Sequence, residues 1–226
     1  MRAISILAAG MLLCSCSFVS VKGGNFKHTT IVRASGDIVE KTYELDGFDI
    51  IDLSGSYEVN YTPGDFYVSV SAPENLIDHI KVEVRNGSLC FGSDGTMIRN
   101  WKNATATVHC PVLSGVAVSG AADFNAEQGI VSDDFTVDVS GAGDIEIHSL
   151  TAENVTMKVS GAVDIDVDNL DCNSIVVRIS GAGDIDIEGK AEKADLIVSG
   201  AGTIDARNLK CEDITSSVSG IGSVRR

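Results

Sequence analysis

Carboxylates recur along the second half of this chain at intervals that a repeated structure would stack. Asp123, Asp144, Asp164 and Asp184 each stand four places after a serine of a Ser-Gly pair, a position then taken by Thr203 and Ser223. Asn125, Glu146, Asp166, Asp186, Asp205 and Arg225 stand six places after the same serines. If the repeats stack as parallel strands, like residues lie about 4.8 Å apart, and carboxylates at that distance repel and raise one another's pKa unless something neutralises them. Two chemistries follow. A hard cation such as Ca²⁺ takes several oxygen ligands and could sit on a ladder of Asp144, Asp164 and Asp184. Alternatively, each aspartate caps the backbone N–H groups of its own Ser-Gly-Ala-Gly turn, as short carboxylates do in turns. The hydroxyls at 203 and 223 suit capping, which is the reading adopted, with no metal site assigned.

Other reactive residues are placed less suggestively. His28, His79, His109 and His148 show no metal-ligand spacing. Neither a Gly-x-Ser-x-Gly nucleophile elbow nor a His-Glu-x-x-His helix occurs. The repeated serines read as turn residues, since a nucleophile would be single. No catalytic residue and no cofactor is expected. Cys172 and Cys211 each lie twelve residues after such a serine and two repeats apart, about 9–10 Å. A disulfide needs Cα atoms within about 7 Å, so both thiols are expected to be buried and reduced. Whether Cys90 pairs with Cys110 stays open.

What positions these residues is the repeat. Ser-Gly recurs at Ser119, Ser140, Ser160, Ser180, Ser199 and Ser219, with spacings of 21, 20, 20, 19 and 20. A fixed period near twenty marks a stack of structural units. Within each unit, apolar and polar residues alternate on both sides of Ser-Gly, as in strands with one buried face. The residue before each serine is aliphatic: Val118, Val139, Val159, Ile179, Val198, Val218. So is the residue five places after: Phe124, Ile145, Ile165, Ile185, Ile204, Val224. A third column holds Leu150, Leu170 and Leu209, with Lys190 as the exception, in the repeat shortened to nineteen. The glycine pairs Gly141/Gly143, Gly181/Gly183 and Gly200/Gly202 are expected at turns with positive φ. Equivalent residues sharing chemistry point to a parallel in-register stack. The expected fold is all-β: a single-stranded parallel β-helix, or β-solenoid, expected to be right-handed, with rungs of about twenty residues.

The N-terminal half is less regular. Strands are expected over Tyr43–Asp52, Tyr57–Tyr61 and Phe66–Ser71, and over Ile80–Val84 and Leu89–Phe91 about an Asn86-Gly87 turn. Pro73–His79 could form a helical turn. The expected organisation is a lipoprotein signal peptide over 1–15, a lipidated N-terminus and flexible tether over 16–36, and a solenoid head over 37–226. In the head, 37–113 form irregular rungs or a cap, and 114–226 form the regular rungs. The first segment has Arg2, then an apolar run from Ile4 to Leu13 too short to span a bilayer. Leu13-Cys14-Ser15-Cys16 looks like a bacterial lipobox, which would make Cys16 the lipidated first residue. A plain secretory signal cut near Ser15 is the alternative.

Composition limits the partners. Of 226 residues, 44% are hydrophobic but only 5% aromatic, with 23 glycines and 3 prolines, which suits a Val/Ile core in strands. A formal charge of −15 argues against nucleic acid, whose phosphates call for Lys and Arg, and against anionic lipid.

Several runs carry a family resemblance: Gly47-Phe-Asp-Ile50, Ser54-Gly55, Glu74-Asn-Leu76, Val84-Arg-Asn-Gly-Ser-Leu89, the Ser-Gly-Ala-Gly-Asp-Ile repeats and Ser219-Gly-Ile-Gly-Ser-Val-Arg225. Over roughly residues 40–226 the chain resembles the head GIN domain family of adhesin-like auto-transporter proteins, common in Bacteroides-type bacteria. The resemblance implies a β-helix-like fold and brings no catalytic residues. The expected function is a non-enzymatic cell-envelope lipoprotein, an adhesin-like module for an envelope glycan or protein, held to the membrane by lipid on Cys16, in the outer membrane. One alternative is a periplasmic structural or sensing partner without external ligand. The other is a polysaccharide-active β-helix enzyme, for which rungs this uniform leave little room. Ser17-Phe-Val-Ser-Val21 lacks the acidic export signal of surface-exposed lipoproteins, which favours the periplasmic face.

Overall fold

The computed structural model describes residues 31–99 and 104–226. The signal segment, Cys16 and most of the expected tether lie outside the described residues. Strands make up 69% of the described residues and helix 2%, and parallel strands stack into a β-solenoid of about six turns.

Each regular rung has three sides. Asp134–Val139 forms side A, the Ser140-Gly141 corner follows, Ala142–Ile147 forms side B, and the strand Leu150–Val159 supplies the short side C and then side A of the next rung. Alternation decides which residues enter. Phe135, Val137 and Val139 on side A, Ile145 and Ile147 on side B, and Leu150 and Ala152 on side C are all buried. The parallel register stacks them on their kind. Val139 pairs with Val159, Val159 with Ile179, and Ile179 with Val198, while Ile145, Ile165, Ile185 and Ile204 form the matching column on side B. No rung could bury these side chains alone. Burying each Val or Ile is worth about 1.5–3 kcal/mol, and that is realised only against the neighbouring rung.

The corner is fixed by hydrogen bonds and by a close approach. The Val139 carbonyl accepts from Ser160 N at 2.8 Å, Gly161 N at 3.3 Å and Ser160 Oγ at 3.3 Å, and the Val159 carbonyl is bonded in the same way by Ser180 and Gly181. Positive φ is not the reason for most of these glycines. Of the three expected pairs, only Gly143 has it, at 146°. A Cβ on Gly161 would lie 1.8 Å from the carbonyl oxygen of Gly141 in the rung below. The glycine column therefore exists because the corners stack backbone on backbone.

The nineteen-residue rung loses its residue between sides B and C. The third column continues through Gly189, which pairs with Leu170 and Leu209, while Lys190 moves to the outward position and pairs with Asp171. Lys190 Nζ lies 2.9 Å from the Asp171 carboxylate. Lys190 is therefore no exception in the aliphatic column.

The N-terminal half stacks out of sequence order. Ile50–Leu53 and Ser56–Pro63 form sides A and B of one rung. Gly115–Val118 and Ala121–Ala126 lie parallel on one face of it. Ser88–Ser93 and Thr105–Cys110 lie parallel on the other. Antiparallel strands then close this end: Ile80–Arg85 on Ser88–Ser93, Tyr67–Pro73 on Thr105–Cys110, and Ile38–Tyr43 on Tyr67–Pro73. The expected strand over Tyr43–Asp52 is interrupted at Gly47, where φ is +71°. Asn86 and Gly87 both have positive φ, as a tight hairpin turn requires. Ile31–Arg33, within the stretch expected to be tether, pairs in parallel with Met97–Arg99.

Candidate functional site: the acidic face

Side B carries the carboxylates outward in the expected columns. Asp144 pairs with Asp164, Asp164 with Asp184, and Asp184 with Thr203; beside them Glu146, Asp166, Asp186 and Asp205 stack in turn. The columns also reach back into the irregular half, where Asp123 pairs with Glu58 and Asn125 with Asn60. Glu58 and Asn60 fall outside the twenty-residue period. The only available signal was that Ser54-Gly55 precedes them by the usual four and six places.

Turn capping takes a different form from the expected one. Asp123 Oδ1 accepts from Asp144 N at 3.3 Å, Asp164 Oδ1 from Asp184 N at 3.4 Å, and Asp184 Oδ1 from Thr203 N at 3.0 Å. Each of these carboxylates caps the equivalent residue of the next rung, not its own turn. A strand leaving a tight corner presents an N–H toward its neighbour, and the side chain one rung back reaches it.

Crowding is visible in the acidities. Asp144 is raised above the usual carboxylate range by burial, then by Asp123 and Asp164. Asp166 is raised by burial, then by Asp186 and Glu146, and Asp186 is raised by burial and then by Asp205. Cations end the second column. Arg207 donates to Asp205 through Nε at 2.9 Å and Nη2 at 2.6 Å, with Arg225 at 3.6 Å, and the Asp205 carboxyl falls to about 2, chiefly through its hydrogen bonds from Arg207.

At the lower margin of this face, Glu127, Glu146, His148, Asp166 and Asp168 line an open groove of roughly 440 Å³ together with Asn125, Ala126 and Ile147. His148 Nδ1 is 3.1 Å from Asp168 Oδ2. His79 likewise meets Asp94 at 3.0 Å, and His109 packs edge-on to Tyr67. His28 lies outside the described residues. Among the described residues no three His, Cys, Asp or Glu side chains are placed to hold a metal ion.

The cysteines follow the register. Cys172 pairs with Ala191 and Ala191 with Cys211, so the two are two rungs apart. Cys110, Cys172 and Cys211 carry free thiols. Cys172 is buried, and burial, then Cys211, pushes its thiol up to about 11. Cys211 is only half-buried, contrary to expectation, because its rung is the outermost. Cys110 is buried, its thiol donating to Val112 O, so it is not bonded to Cys90.

The family model for the head GIN domain, described as a putative auto-transporter adhesin, matches residues 47–225. The chain belongs to this family. Its solved structural neighbours show the same fold. A protein named a putative adhesin from Bacteroides fragilis is 23% identical, with 86% of this chain and 99% of that one aligned at a TM-score of 0.68. A protein from Parabacteroides distasonis named a putative lipid binding protein is 16% identical over 87% and 99%, with a TM-score of 0.66. A putative adhesin from Parabacteroides merdae is 17% identical over 87% and 98%, with a TM-score of 0.53. No curated protein matches the chain. The head GIN domain match begins at Gly47, so the out-of-order rung and the acidic face both fall within it.

Proposed function

We propose that this chain is a non-enzymatic lipoprotein of the cell envelope, held at the outer membrane by lipid on Cys16, and that its head is an adhesin-like binding or scaffolding module. The observation that carries this reading is the acidic side B: an exposed, in-register face of carboxylates beside an open groove, on rungs too uniform to build a catalytic cleft. Its outward carboxylates and amides suit an envelope glycan or protein presenting cationic or hydroxyl groups. The corner serines are committed to stacking, as Ser160 Oγ is to the Val139 carbonyl. A lipid ligand finds no room inside, since the columns of Val, Ile and Leu fill the core.

The test is a pull-down from envelope extracts with the tagged full chain and with a variant in which Asp144, Asp164, Asp166 and Asp186 become Asn. A partner retained by the first and lost by the second supports the reading; retention by both refutes the acidic face. Cys16→Ala should release the protein from membranes or block its processing. The uncharged Ser17–Val21 segment favours the periplasmic face, and with it a structural or sensing partner role. Protease shaving of intact cells separates the two: a periplasmic head survives, a surface head is cut.

A further inference from the structure

The two ends of the solenoid differ. Antiparallel strands cover the N-terminal end, whereas the last rung, Leu209–Val218 with Ser223–Arg225, pairs among the described residues only with the rung beneath it. Open strand edges are templates for further pairing, and proteins usually blunt them with charge, proline or a bulge. Here charge stands only at the flanks of the edge, on Lys210, Glu212, Asp213, Arg225 and Arg226. From Ile214 to Val224 there is no charged residue and no proline, although the equivalent stretches below carry Lys158 and Asp164, Arg178 and Asp184, and Asp195. The exposed column of Ala142, Ala162, Ala182 and Ala201 ends in Ile221, which is 91% exposed, and Val218 is 45% exposed above a fully buried Val198. The Ile214 carbonyl takes a donor from Arg226 Nη1 across the end of the stack, at 3.3 Å.

We infer that this terminal rung pairs edge to edge with the terminal rung of a second copy of this chain. Sides A and B are each six residues long in the regular rungs and meet at the Ser-Gly corner. A twofold axis through that corner therefore lays side A of one copy antiparallel on side B of the other. Inward residues must face inward residues. Ile214, Ser216 and Val218 stand above the buried Ala194, Leu196 and Val198, and Val224 stands above the buried Ile204. An axis at Ser219 meets this condition, placing Ile214 opposite Val224 and Ser216 opposite Gly222. The same register sets Asp213 against Arg225 and Glu212 against Arg226 of the second copy, so opposite charges meet at both flanks. Twofold contacts are self-complementary by construction, and a neutral centre flanked by opposite charges satisfies that requirement.

Light scattering and sedimentation of the full-length chain in mild detergent, over a range of concentrations, test this. A dimer is expected. Asp213→Arg should weaken it about tenfold by opposing two cations at each flank, and the double change Asp213→Arg with Arg225→Asp should restore it. Under oxidation Ser219→Cys should link two copies, because residues opposed across an antiparallel pair lie about 4.5–5.5 Å apart, whereas Ser119→Cys, inside the stack, should not. Thermal unfolding of each variant establishes that it is folded. A monomer at every concentration, or a dimer indifferent to the charge exchange and to Ser219→Cys, overturns the inference.

Discussion

The Asp184 carboxylate accepts the Thr203 backbone N–H across 3.0 Å, tying one rung to the next through a side chain. Removing that acceptor in Asp184→Ala should cost about 1 kcal/mol in urea unfolding. Asp184→Asn retains an oxygen and should cost less than half as much. Equal losses for Ala and Asn would show that charge, not hydrogen bonding, matters there.

Calcium separates the same two roles along the ladder. Aspartates engaged as acceptors from backbone N–H groups need no ion, so added Ca²⁺ should leave the melting temperature unchanged. A calcium-dependent rise that vanishes in Asp164→Asn would assign Asp144, Asp164 and Asp184 to a cation after all.

Glycines at the corners and in the loops should respond in opposite order to their dihedral angles. Gly161 has ordinary φ but no space: a Cβ meets the Gly141 carbonyl oxygen at 1.8 Å, so Gly161→Ala should cost about 3 kcal/mol as the stack is forced apart. Gly47 has φ +71° with nothing within 4 Å, so Gly47→Ala should cost only about 1–2 kcal/mol of backbone strain. Denaturant midpoints that rank the two the other way would reject the stacking explanation.

The aliphatic columns should dominate stability. Ile165 and Ile185 are each 1% exposed, and truncation to Ala should cost about 2–5 kcal/mol apiece. Lys158 points outward, and Lys158→Ala should stay within about 0.5 kcal/mol. Small, equal changes at all three would contradict the register.

Acid should act in two opposed windows. Asp144, Asp166 and Asp186 hold their protons more tightly folded than unfolded. Stability should therefore fall as pH rises from the unfolded carboxylate value, about 3.9, through their raised folded values. Asp205 is the reverse. Its stabilisation by Arg207 is present above the unfolded value and lost as pH drops toward about 2. Unfolding midpoints measured across acid pH should show a maximum between these windows. Asp166→Asn should flatten the loss on the alkaline side, and a profile unchanged by it would remove Asp166 as a contributor.

The regular rungs were legible because each position repeats its chemistry. Val139, Val159 and Ile179 announce a shared column, and the acidic columns follow from the same count. What a single rung does not announce is what lies above it. The reason for Gly161, the reach of Asp184 to Thr203 and the retreat of Lys190 from the core all depend on the neighbouring backbone, which period alone does not describe. The N-terminal half shows its separate elements but not their stacking order, because Ser54-Gly55 carries no period linking it to Ser88 on one face and Gly115 on the other.

That arrangement has a consequence for a chain made from its N-terminus. A regular rung finds its support about twenty residues back, so rungs after Val118 can be laid down one at a time as they emerge. The rung at 50–63 has neither neighbour when it appears. One face waits for residues 88–110 and the other for 115–126, and every later rung is laid on the second. Extension of the solenoid is thus conditional on closing a long excursion first, and the slow step of folding should lie in residues 38–126, ahead of the regular repeats.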